Sequence, residues 1–132
     1  MDKPKSIKLT IILIIISWLA SLISILIITS KAPDLMPNTV AKCISFAVTT
    51  ILMLWLAYKI NKGRNWARVV YSVLVFISLI STFINFQQFW LMPFEFVSLS
   101  AITNLSQLGV LLLLFTKNSN IWFKNSFSVQ YT

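Results

Sequence analysis

The chain has 132 residues, of which 58% are hydrophobic and 11% charged, with eleven basic side chains against three acidic ones. That balance excludes an ordinary soluble domain, which exposes far more charge, and the length leaves room for a single domain. The net charge of +8 does not point to nucleic acid, because the basic residues stand at the ends of apolar runs instead of covering a hydrophilic surface.

The first apolar run, Leu9 to Ser30, holds 22 residues without a charge. As a helix it reaches about 33 Å, enough to cross a hydrocarbon core of about 30 Å. Lys3, Lys5 and Lys8 precede it, as in a secretory signal peptide, and Ser30-Lys31-Ala32 forms a small-x-small site. Pro33 directly after that site and the length of the run favour an uncleaved anchor. Within this run Ser17, Ser21 and Ser24 recur at i, i+4, i+7.

Residues 31–39 carry Pro33 and Pro37, which break helices and favour an extended turn. The second run, about 40–60, is apolar apart from Lys42 near its start and Lys59 near its end, and it carries Ala41, Ser45 and Thr49 in one stripe. Residues 61–65 read as a tight helical hairpin, in which Gly63 supplies the left-handed stop and Asn65 caps the next helix. The third run, about 66–86, has Arg68 in its first turn and Ser78, Ser81, Thr82 and Asn85 toward its far half. Residues 87–96 form an aromatic loop with Pro93 and Glu95. The fourth run, about 97–116, is closed by Lys117 and carries Asn104 and Gln107 on one face near its middle. The chain, 1–132, is therefore expected to be one integral membrane domain: all-α, an antiparallel transmembrane four-helix bundle.

The basic residues orient it. Lys3, Lys5 and Lys8 at the N-terminus, Lys59, Lys62, Arg64 and Arg68 at the middle hairpin, and Lys117 and Lys124 in the tail share one side if the helices alternate. Only Lys31 and Lys42 lie on the other side, with Asp34 and Glu95. Nine against two puts both termini in the cytoplasm by the positive-inside rule. Lys59, Lys62, Arg64 and Arg68 are then topological anchors that reach lipid headgroups, with anionic lipids of the cytoplasmic face as partners. Trp55, Tyr58, Trp66, Tyr71 and Trp122 fall at the inner interface, and Phe86, Phe89, Trp90, Phe94 and Phe96 at the outer one. Trp18, mid-helix, either packs inside or faces lipid. Trp90 and Phe94 are candidate outer contacts.

Chemistry is constrained as tightly. There is no histidine, and Cys43 is the sole cysteine, so no Cys/His metal site, no intramolecular disulfide and no histidine-based hydrolase can be assembled. No ionisable residue is expected near the midplane, where proton-coupled transporters and pumps need one. Small four-helix multidrug exporters use a glutamate in the first helix, and 9–30 has none; quinone-linked disulfide oxidoreductases need cysteine pairs. No catalytic residue, cofactor or metal is expected. The small-residue stripes are expected to let helices approach and hydrogen-bond across their interfaces. Asn104 and Gln107 bond to Ser78 or Ser81, or contact a neighbouring protomer, or line a polar cavity that takes a ligand; amides at that depth are costly without partners.

Gly63-Arg64-Asn65-Trp66-Ala67-Arg68, with Trp122-Phe123 after the fourth run, resembles a pattern in small bacterial four-helix inner-membrane proteins of unknown function. In those chains a G-R-x-W-A-R turn joins helices two and three, and a W-F pair follows the last helix. The resemblance covers the whole length and implies a bacterial inner-membrane protein, without supplying a catalytic residue. Size, basicity and helix count are also similar to those of immunity proteins against membrane-targeting toxins, an analogy of architecture. The functional expectation is a non-enzymatic protein that binds a protein partner or its own kind, such as an immunity protein or accessory subunit. The alternative is a small oligomeric transporter or channel.

Overall fold

The computed structural model describes residues 2–31, 33–35 and 38–129. Ala32 of the small-x-small site and Pro37 of the first turn lie outside the described residues. The described residues form five α-helices and no strand: α1 (Lys5–Lys31), α2 (Thr39–Asn61), α3 (Asn65–Ile84), α4 (Phe94–Leu114) and α5 (Lys117–Val129). Short 3-10 segments, Pro33–Leu35 and Phe86–Leu91, occupy two of the connections. The helices α1 to α4 are each long and apolar enough to cross a membrane. Their ends lie within four residues of the expected ones.

Why the long helices stand in lipid is visible in their surfaces. Ile12, Ile23, Val48, Ile51, Ile80 and Leu112 are exposed, along with many other large apolar side chains on all four. A water-soluble protein does not carry so extensive an apolar surface, whereas hydrocarbon accepts it.

The most extensive packing joins α1 to α4. Buried residues on α1 are Ile7, Thr10, Ile14, Ser17, Ala20, Ser24 and Ile28. Their spacing of three or four residues makes one continuous seam along the helix. Leu13 reaches Gly109 of α4, where an added Cβ would stand 3.2 Å from its Cδ1. Lys31 at the end of α1 pairs with Glu95 at the start of α4, while Ser6 near the start of α1 meets Ser119 just beyond α4. These two helices therefore run in opposite directions.

The buried hydroxyls do not bond across this seam as expected. Thr10, Ser17 and Ser24 donate to the carbonyls of Ser6, Ile14 and Ala20, each on its own helix, at 2.8 to 2.9 Å. A helical Ser or Thr reaches the carbonyl one turn back without help from a neighbour. Small size lets the helices close up; the hydroxyl is already occupied. Between α1 and α2 a cross-helix bond does form: Trp18 Nε1 donates to Thr50 Oγ1 at 3.0 Å, so Trp18 faces a neighbour.

The turn between α2 and α3 follows the residue chemistry. Gly63 has φ +78°, and its N–H donates to the Ile60 carbonyl at 2.9 Å while the Arg64 N–H donates to the Lys59 carbonyl at 3.1 Å. That pair of bonds is a Schellman stop with glycine at the left-handed position. Asn65 does not cap α3: it is the first helical residue, and Arg64 stands at the cap position without a side-chain bond.

Two sequence expectations are corrected at this end. The segment after residue 116 is a helix, α5, not merely a tail. Ser119, Trp122 and Phe123 are buried and Ser126 lies half-buried, one face at i, i+3, i+4, i+7. The helix lies across the hairpin, with Ser126 and Trp122 over Gly63. Tyr71, placed at the interface from sequence, is instead 1% exposed within the core.

Candidate functional site

Burial is unequal along the long helices. On α2 the buried residues are Leu56, Ala57 and Ile60; on α3 they are Ala67, Tyr71, Ser72 and Val75; on α4 they are Val110 and Leu114. All lie toward the α2–α3 hairpin, with Val75, at the middle of α3, the farthest along that helix. There Phe123 of α5 joins Ile7 and Ile14 of α1 to complete one apolar cluster. In the opposite half none of the described side chains of α2, α3 and α4 is buried.

The space between the four helices in that open half is a cavity of about 900 Å³. The expected polar residues converge on it. Asn104 and Gln107 of α4 line one wall, Ser78 and Ser81 of α3 another, and Ser21 with Ser24 of α1 and Ser45 with Thr49 of α2 the rest. The hydrogen bonds expected from Asn104 or Gln107 to Ser78 or Ser81 are absent among the described residues; the helices stand apart where those residues face one another. Gln107 Oε1 is buried without a hydrogen-bond partner. An unsatisfied buried carbonyl costs about 1–3 kcal/mol, part of which a donor arriving there would recover.

The wall has a chemical sense. Ser21, Ser24, Thr49, Thr82 and Thr103 spend their hydroxyl protons on carbonyls of their own helices. What they turn outward is acceptor oxygen. Lys42 of α2 supplies the cation of the lining and has no ion pair among the described residues, whereas Lys31 is engaged by Glu95. Phe46, Phe89 and Phe96 add apolar walls. A narrower space of about 80 Å³ adjoins between α1 and α2, with Gln107, Trp18 and Tyr71 in its lining.

Sequence reasoning identified the α4 amides and α3 serines but missed Ser100, Thr103 and Lys42 as members of the same site. Ser100, Thr103 and Gln107 follow one face of α4 at i, i+3, i+7, a signal present in the chain. Trp90 and Phe94, the expected outer contacts, lie at the open end and are 82% and 81% exposed. Phe86 packs edge-on to Trp90, and Phe89 stacks on Phe96, so the α3–α4 connection sets aromatic rings along one side of the mouth.

The basic hairpin behaves as two groups. Lys59 Nζ lies 5.6 Å from the Trp55 ring centroid and Lys62 Nζ 4.7 Å from that of Tyr58, with Arg64 exposed. These three sit where cationic tips and aromatic bodies share an interface. Arg68 does not reach outward as expected. Its Nη1 donates to the Leu114 carbonyl at 3.3 Å and to Asn120 Oδ1. Its guanidinium carbon lies 5.1 Å from the Phe115 centroid and 4.8 Å from that of Phe123. Through that one nitrogen and the two rings, Arg68 clasps α3 to the α4–α5 corner. Lys3 similarly bonds Asn61 at the end of α2.

Among the described residues no three His, Cys, Asp or Glu side chains group as metal ligands. Compared with protein-family models, curated proteins and solved structures, the chain matches none.

Proposed function

We propose that this chain is a non-enzymatic, multi-pass binding protein of a bacterial inner membrane, which receives a guest in the cavity between α1, α2, α3 and α4. The carrying observation is that cavity, open in one half of the molecule, with the partnerless Gln107 carbonyl in its wall. The cationic residues gather at the other half, which supports a topology with both termini cytoplasmic and the cavity toward the outer leaflet. The G-R-N-W-A-R turn supports the bacterial setting. Its cluster of Lys59, Lys62 and Arg64 fits anionic headgroups of the inner leaflet.

Binding without chemistry is the role of toxin-immunity proteins and of accessory subunits in larger membrane complexes, and this chain fits that class. A transporter or channel is the weaker reading. Leu56, Ile60, Tyr71, Val75 and Val110 fill the hairpin half, and a passage for solute would have to open through them.

Site-specific photocrosslinking in native membranes tests the reading. A benzophenone side chain replacing Ile77, on the cavity wall, is expected to give a discrete adduct. The same group replacing Phe76, exposed on α3 but outside the lining, is expected to give only diffuse lipid adducts. Indistinguishable products from both positions would overturn the cavity as a binding site.

A further inference from the structure

We infer that the guest is an anionic amphiphile whose far end carries a hydrogen-bond donor, with its anion at Lys42 and its donor at Gln107. The inference rests on the cavity being a binding site and names what fills it. Three features of the lining set the chemistry. Lys42 stands in the first turns of α2, at the mouth, with no ion pair among the described residues, so it selects for negative charge. Gln107 Oε1 is buried with no donor and selects for an O–H or N–H. Between them Phe46, Leu52, Leu74 and Ile77 offer hydrocarbon contact.

The spacing favours a guest that is polar at both ends. Gln107 shares its surroundings with Thr49 and Met53 of α2. These residues lie seven and eleven positions beyond Lys42, roughly 10–16 Å along the helix axis. A compact polar molecule cannot engage both groups, and a plain alkyl chain leaves the Gln107 carbonyl unpaired. The cavity of about 900 Å³ lies within the range of small-molecule sites, about 300–1,000 Å³. An acyl chain with a carboxylate or phosphate at one end and a hydroxyl or amide N–H toward the other meets all three demands. Such a molecule can be drawn from the outer leaflet or arrive from the medium.

Titration of the full chain in nanodiscs of neutral phosphatidylcholine tests this with three probes. They are ω-hydroxydodecanoate, dodecanoate, which lacks the donor, and methyl ω-hydroxydodecanoate, which lacks the anion. The hydroxy acid is expected to bind about fivefold or more tightly than either of the others. Lys42→Gln, at the exposed rim, is expected to weaken both acids about fivefold and leave the ester unchanged. Gln107→Leu is expected to weaken the hydroxy acid and the ester about fivefold and leave dodecanoate unchanged. Ser100→Phe, filling the cavity from another wall, is expected to abolish binding of all three.

Equal affinities for the three probes, or an effect of Lys42→Gln on the ester as large as on the acids, would overturn the inference. If no probe binds while the Ile77 crosslinker traps a discrete membrane protein, the amphiphile is wrong and the cavity reading stands. If no probe binds and Ile77 behaves like Phe76, both fail. Native mass spectrometry of the chain as extracted separates the sources: a co-purified anionic lipid marks the leaflet, and an empty chain that takes up ω-hydroxydodecanoate marks the medium.

Discussion

Gly63→Ala is expected to destabilise the hairpin end by about 3 kcal/mol and to lift α5 from it. Two separate costs combine. Alanine at φ +78° occupies the left-handed region, at about 1–2 kcal/mol. Its Cβ would also stand 2.6 Å from Ser126 Cβ and 3.3 Å from the Trp122 ring, too near for α5 to keep its seat. Denaturation in mild detergent, followed through tryptophan fluorescence, reads both, because Trp122 is buried in this contact. Adding Ser126→Gly is expected to recover the steric part and leave the backbone part, so the two substitutions are non-additive. If Gly63→Ala costs the same with and without Ser126→Gly, α5 does not rest on the hairpin.

Arg68 gives the second large effect. Arg68→Ala is expected to cost about 3 kcal/mol, since it removes a charge-assisted bond to Asn120, a bond to the Leu114 carbonyl and contacts with two aromatic rings. Arg68→Met is expected to cost less, about 1–2 kcal/mol. It keeps the packing and also removes the desolvation of Nε, which is buried without a partner. Arg68→Lys is expected to recover only part of the loss, because an ammonium lacks the planar guanidinium that lies against Phe115 and Phe123. Limited trypsin digestion at Lys124 reports the release of α5 in the same order: alanine fastest, native slowest. Equal digestion of all four proteins would show that Arg68 does not hold the corner.

These two residues show what a single sequence displays and what it conceals. Gly63 was legible because a glycine between two apolar runs has a local meaning: it ends a helix, and the Schellman bonds need no third element. The four long helices were legible for the same reason, through run length alone. Arg68 was misread because its partners, Leu114, Phe115, Asn120 and Phe123, are some fifty residues away and belong partly to a helix that hydropathy does not reveal. In α5 a short apolar face, Trp122 and Phe123, is set among Asn, Ser and Lys, and only its spacing marks it as helical.

The polar set at Ser78, Ser81, Asn104 and Gln107 was identified as a group, but its meaning depended on distance. If the helices met, these residues would be mutual partners; with the helices apart, they are a lining. No periodicity distinguishes the two, since the residues and their facing are the same. What separates them is the asymmetric packing: bulky Leu56, Ile60, Tyr71 and Leu114 fill the hairpin half, and small Ser and Thr side chains leave the other half unfilled.

Thiol accessibility examines that asymmetry in place. With Cys43→Ser as background, single cysteines replace Ser81 and Ser100 on the cavity wall and Ile80 and Leu105 on exposed faces outside the lining. A membrane-impermeant methanethiosulfonate, which reacts with the hydrated thiolate, is then added to intact cells. Modification at positions 81 and 100 with none at 80 and 105 is the expected result. Equal reaction at all four, or reaction at 81 and 100 only after the membrane is opened, would contradict a cavity facing outward between four membrane-spanning helices.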